Sequence, residues 1–131
     1  MLLDTSGLLS YIDTHDAHHA EAVRLFTGAR RRVTHSYVLA ELVALCHARR
    51  APRAPCLLFV AELADNPLVE MHWIDEARHR AAMSLLQSQG DKAYSLCDAV
   101  SFLLMRDRGL TEALTTDRHF EQAGFTRLLK A

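Results

Sequence analysis

The sequence predicts an α/β protein, a central, mostly parallel sheet of four to five strands covered by helices on both faces. Three observations carry that expectation. Short apolar runs of strand length recur along the chain. The segments between them place apolar residues at helical spacing, and Gly, Pro and Asn-Pro breakers separate one from the next. Strands that alternate with helices pair in parallel, and a parallel sheet must be covered on both sides.

Met1 to Asp4 reads as a buried strand, and Asp4-Thr5-Ser6-Gly7 turns into a short helix through Leu8, Leu9, Tyr11 and Ile12. After a loop at residues 13–16, a second helix spans Ala17 to Gly28, with Ala22, Leu25 and Phe26 inward and the glycine as its stop. Val33-Thr34-His35 is a brief strand, and Ser36 caps a helix that runs to Arg49. Pro52 and Pro55 bracket a turn before a helix from Cys56 to Ala64, which Asn66-Pro67 ends. Leu68 to Ile74 alternates as a strand does, and Asp75 caps a helix that stops near Gly90. From Ser95, a helix with Leu96, Ala99, Val100, Leu103 and Leu104 on one stripe runs to Gly109. A strand at Ala113 to Thr116, a helical turn at Arg118 to Ala123 and a last strand at Phe125 to Leu129 complete the set.

At 131 residues this is one expected domain, residues 1–131, without repeats or linkers. No apolar run reaches the ~20 residues of a membrane span, and the start lacks the basic segment of a signal peptide. Three widely spaced cysteines without a C-x-x-C pair suit a reduced cytoplasmic setting.

Four acids stand in apolar surroundings. Asp98 lies beside the stripe of its helix, and Glu41 shares a helical face with Val38, Leu42, Leu45 and Cys46. Asp4 and Asp117 follow directly on strands, at the sheet edge where ligands of such folds sit. An isolated buried carboxylate costs roughly several kcal/mol, a cost that a shared cation removes. Hard carboxylate oxygens with no His or Cys among them suit Mg²⁺ or Mn²⁺ rather than zinc, and such a cluster supports phosphodiester hydrolysis. The net charge of −1 does not exclude a nucleic acid. With four of the 16 acidic residues gathered in a site, 12 remain against 15 basic ones, of which 13 are arginine.

The segments Leu3-Asp4-Thr5-Ser6-Gly7-Leu8-Leu9, Ala40-Glu41-Leu42, Asp98-Ala99-Val100-Ser101 and Leu114-Thr115-Thr116-Asp117-Arg118-His119-Phe120 resemble the PIN-domain ribonuclease family. Size and spacing are similar to its small prokaryotic branch, the virulence-associated protein C-type toxins of toxin–antitoxin pairs. The resemblance implies a three-layer α/β/α sandwich and RNA cleavage dependent on Mg²⁺ or Mn²⁺, with one or two ions. It implies Asp4, Glu41, Asp98 and Asp117 as catalytic and metal-binding residues, with Ser6 and Thr115 as auxiliary polar groups. It also implies a homodimer and a small antitoxin partner, for which Leu25, Phe26, Val43 and Leu45 are the expected docking surface.

Each feature also has a plain reading. Asp4 and Asp117 stand where helix caps belong, Glu41 can reach solvent, and Asp98 can pair with Arg106. His15, His18 and His19 have helical metal-site spacing but suit solvated histidines at a helix start. Cys97, His119 and Asp117 lack any local signature of a cysteine nucleophile. The Arg30-Arg31-Arg32 run is either solvated charge or an RNA-backbone contact. The alternative function is a catalytically idle domain of the same fold that binds RNA or protein.

Overall fold

The computed structural model describes residues 1–130; Ala131, the end of the expected domain, lies outside them. The elements are β1 (Leu2–Leu3), α1 (Thr5–Ile12), α2 (His19–Gly28), β2 (Arg32–His35), α3 (Ser36–Ala48) and α4 (Arg53–Asp65). There follow β3 (Val69–His72), α5 (Glu76–Ser88), α6 (Leu96–Arg108), β4 (Glu112–Leu114), α7 (His119–Gln122) and β5 (Thr126–Arg127). The five strands form one sheet in the order β3-β2-β1-β4-β5, and every pairing is parallel. The three-layer α/β/α expectation therefore holds, with all five expected strands present.

Alternation along the strands assigns the layers. Leu3 and Leu114 join the core beneath α1 to α4, where Leu8, Ala22, Val38, Leu42 and Leu63 are buried. Their neighbours Leu2 and Ala113, with Val33, point to the other face and meet Phe102, Met105 and Phe120 of α6 and α7. Helix α5 closes that face through Ala82 against Ala99 and Val100.

Local signals set several boundaries. Asp75 caps α5 by accepting the Arg78 N–H at 2.8 Å. Gly109 ends α6 in the left-handed region, at φ 66°, a conformation that glycine adopts without strain. Other boundaries moved. Helix α4 begins at Arg53, because Pro55 in the first turn lacks only an N–H that has no helical partner there. Ser36 is the first residue of α3 rather than its cap, and its hydroxyl accepts the Ile74 N–H at 2.9 Å.

On the expected docking surface, Leu25, Phe26, Val43 and Leu45 are each half-buried. Leu25, Phe26 and Leu45 pack partly against the core, and Tyr11 stacks on Phe26 with ring centroids 4.4 Å apart. The most exposed large apolar side chains are Leu57 and Leu58 on α4 and Leu68, Trp73 and Met83. The histidines near α2 do not converge. His18 faces the Lys130 carbonyl and His19 faces that of Ser10. In the arginine run, Arg31 binds Glu70 and Arg32 holds the carbonyls of Phe26 and Thr27, so both guanidiniums are already engaged within the protein.

Candidate active site

The chain leaves β1 for β2 and β3 on one side, then returns to lay β4 on the other. Strand order reverses between β1 and β4, and in open parallel sheets ligands bind beyond the carboxyl ends of the strands at that point. Asp4 is the residue after β1, and its N–H donates to the Leu114 carbonyl at 3.2 Å. Asp117 lies just past β4. Helices α3 and α6 bring Glu41 and Asp98 from the sides.

Side-chain hydroxyls tie the two strand ends together. Thr115 donates to Oδ2 of Asp4 at 2.8 Å and accepts the Asp117 N–H at 3.0 Å. Ser6 lies 3.0 Å from the Thr115 hydroxyl, accepts the Thr116 N–H at 3.0 Å and reaches Asp4 at 3.4 Å. Asp4 makes no side-chain cap to α1, so the plain capping reading fails for it. Asp117 does accept the His119 N–H at 2.9 Å, which leaves its second oxygen free of that turn.

Asp98 sits in the first turn of α6 within a capping box. Ser95 accepts its N–H and Asp98 accepts that of Ser95, both at 3.0 Å. The positive end of the helix dipole favours a carboxylate there. Its side-chain partner is His119, whose Nδ1 lies 3.1 Å from Oδ2. Arg106, the alternative partner, instead places its guanidinium over the Phe125 ring.

Burial and mutual repulsion raise proton affinity in the cluster. Asp4 is pushed from the ordinary 3.8 to about 7, first by desolvation and then by the charges of Asp98 and Glu41, against the lowering bond from Thr115. Desolvation also raises Asp98, with Asp117 adding to it while Ser95 and His119 hold it down. Glu41 is exposed. A cluster of four acids, two of them resisting ionisation, fits a divalent cation as counter-charge.

The donor set is richer than the sequence suggested. Two groups of ligand atoms each lie within 4.8 Å of one another: Asp4, Glu41 and Cys97, and Asp98, Asp117 and His119. Cys97 and His119 thus stand beside the four acids, two donor types that the sequence reading did not include. Cys97 and His119 belong to different groups, which removes the cysteine-nucleophile set. Burial and the three neighbouring carboxylates Glu41, Asp4 and Asp98 push the Cys97 thiol up, so it stays protonated. Adjacent residues on a helix point about 100° apart, so the position of Asp98 gave no sign of where Cys97 faces. The Asp-x-His spacing at residues 117–119 was the available signal for the histidine.

Comparison with known proteins gives a consistent result. The family model of the PIN domain matches residues 1–126. The 23S rRNA-specific endonuclease VapC20 of Mycobacterium tuberculosis, from strains CDC 1551 and H37Rv alike, is 29% identical over 129 residues. That span covers 98% of this chain and 97% of the relative. The crystal structure of M. tuberculosis VapC20, described as a sarcin-ricin loop cleaving toxin, superposes with a TM-score of 0.88 at 27% identity. It covers 99% of this chain and 98% of that one.

Proposed function

The chain belongs to the PIN-domain family, and on that premise we propose that it is a divalent-metal-dependent endoribonuclease, the toxin of a toxin–antitoxin pair. The reaction is hydrolysis of an RNA phosphodiester bond, and the whole chain acts as one nuclease domain. The observation that supports this reading is the gathering of Asp4, Glu41, Asp98 and Asp117 by the carboxyl ends of β1 and β4, with Asp4 and Asp98 buried.

Those four residues would hold Mg²⁺ or Mn²⁺, one ion or two. Such an ion, when bound, offsets the charge of the phosphate and lowers the pKa of a water. The protein's own part is placement. Thr115 and Ser6 fix the Asp4 carboxylate and tie it to the Asp117 turn. The capping box fixes Asp98. Glu41 contributes its carboxylate from an exposed position on α3. Because a free ribonuclease harms its own cell, a small antitoxin is the expected partner, with a homodimer of the nuclease. Among the described residues no helix is long and apolar enough to cross a membrane. An RNA substrate places the proposed action in the cytoplasm.

The 23S rRNA that the relative cuts is the first substrate to try. Purified protein incubated with ribosomes and Mn²⁺ should yield a discrete fragment, mapped by sequencing its new end. The same mixture with chelator, or with Asp98→Asn, should yield none. Intact RNA of every class tested, with folded and metal-supplied protein, would favour the idle binding domain instead. Growth arrest on expression of the chain alone, relieved by its genomic neighbour, tests the toxin assignment.

A further inference from the structure

His119 is a residue that the four-acid description leaves unused. Its Nδ1 stands 3.1 Å from Oδ2 of Asp98 and 3.3 Å from Oδ1 of Asp117. Neighbouring ligands around an octahedral ion with bonds near 2.1 Å lie about 3.0 Å apart. Both separations therefore match adjacent corners of one coordination sphere. Two carboxylate oxygens and a ring nitrogen at this spacing are held together by a proton on the ring, and a cation that displaces that proton finds all three donors in place. The ring is also held in place. Its own backbone N–H is bound by Asp117, and the ring of Tyr94 meets it edge-on with centroids 5.5 Å apart. Carboxylate and imidazole are presented together by one turn, toward a third ligand anchored on α6.

We propose that His119 is the third protein ligand of the cation position formed by Asp98 and Asp117. Its nitrogen makes that position prefer a first-row transition ion over magnesium. The inference rests on the nuclease reading for the existence of a cation site and names the ion that site selects. Magnesium binds oxygen donors and keeps its waters, whereas imidazole suits first-row transition ions, with Mn²⁺ the weakest of them and so the most demanding probe. The other group, Asp4, Glu41 and Cys97, has no nitrogen. The two positions accordingly differ in selectivity, and the site is not symmetric.

The test reads binding directly, with Mn²⁺ and Mg²⁺ as the probes. Electron spin-echo spectra of the wild-type protein loaded with Mn²⁺ should show coupling to a directly bound ¹⁴N nucleus, lost in His119→Gln. Calorimetric titration should show that His119→Gln weakens Mn²⁺ binding by about tenfold or more, with Mg²⁺ changed by less than about threefold. Wild type without nitrogen coupling overturns the proposal, and needs no variant to do so. Equal weakening of both metals also overturns it, since a ring that merely orients the two carboxylates acts on either ion alike. RNA cleavage without nitrogen coupling would sink this ligand and spare the nuclease reading. Nitrogen coupling in a protein that cuts no RNA would do the reverse.

Discussion

Thr115 donates a 2.8 Å hydrogen bond to Asp4 across 111 positions of sequence. That bond joins the ends of β1 and β4, and the same hydroxyl oxygen accepts the Asp117 N–H. It is also the strongest interaction favouring the ionised form of Asp4, whose carboxyl burial pushes to about 7. Thr115→Val keeps the shape and deletes the donor. We expect Asp4 to become harder to ionise, so the acidic limb of the pH–rate profile should move to higher pH. The N–H of Asp117 also loses a partner, which costs roughly 1–3 kcal/mol. Thr115→Ser, which keeps the hydroxyl, should restore both. An unmoved acidic limb in Thr115→Val would show that Asp4 ionisation does not limit the reaction.

Asp4 should also mark the pH dependence of stability in metal-free protein. A carboxyl whose pKa is higher folded than unfolded contributes stability that is present below the unfolded value. That stability is lost as pH rises through the folded value. For Asp4 the window runs from 3.8 to about 7. Asp98, also raised, acts in the same direction. Asp4→Asn removes the titration and keeps a carbonyl oxygen for Thr115. Its stability relative to wild type should therefore grow from pH 4 to pH 8, by on the order of 4 kcal/mol if nothing relaxes. Denaturant melts of both proteins at each pH measure this, and a constant difference would contradict it. Saturating Mn²⁺ at pH 8 should recover the loss in wild type by binding only the folded state.

Asp98→Asn and Glu41→Gln separate folding from chemistry. The amide put in place of the Asp98 carboxylate retains an oxygen for the Ser95 N–H, so the cap of α6 survives. Glu41 is exposed, and its replacement by an amide should leave stability within about 0.5 kcal/mol of wild type. Both should cut RNA cleavage by roughly 10²-fold or more, the scale on which removal of one electrostatic group acts. Folded variants that cleave within a few fold of wild type would take that residue out of the mechanism.

The elements legible in the sequence were those whose signals are local. Asp75 and Gly109 each act within a turn or two, and the structure places both where capping chemistry put them, while the Ser95–Asp98 capping box was equally local but went unread. The four acids were legible because a carboxylate amid Leu and Val needs an explanation wherever the chain folds. What the sequence hid is geometry across elements. Nothing local shows that Cys97 turns toward Asp4 and Glu41, or that Leu25 and Phe26 are covered by neighbours. The prolines near Arg53 misled for another reason, since a proline in a first turn and one before a helix leave the same trace.

Gly7 shows how closely that geometry is set. A methyl group built on it would stand 1.9 Å from the Leu114 carbonyl oxygen and 2.5 Å from its carbon. These are backbone atoms of β4, paired with Leu3 of β1, and they cannot rotate aside as a side chain would. Gly7 therefore lets the first turn of α1 lie directly on β4, which is also what brings Ser6 within 3.0 Å of Thr115. Gly7→Ala must push the helix from the strand. Helix propensity alone would favour alanine by about 1 kcal/mol, so a net loss isolates the contact. We expect a loss of about 3 kcal/mol or more, at the upper end for overpacked sites. Cleavage should fall further than the folded fraction does, because the Ser6–Thr115 contact and the Asp4 position shift with the helix. Denaturant melts beside cleavage rates per folded molecule decide it, and a Gly7→Ala protein as stable and active as wild type would refute the close approach.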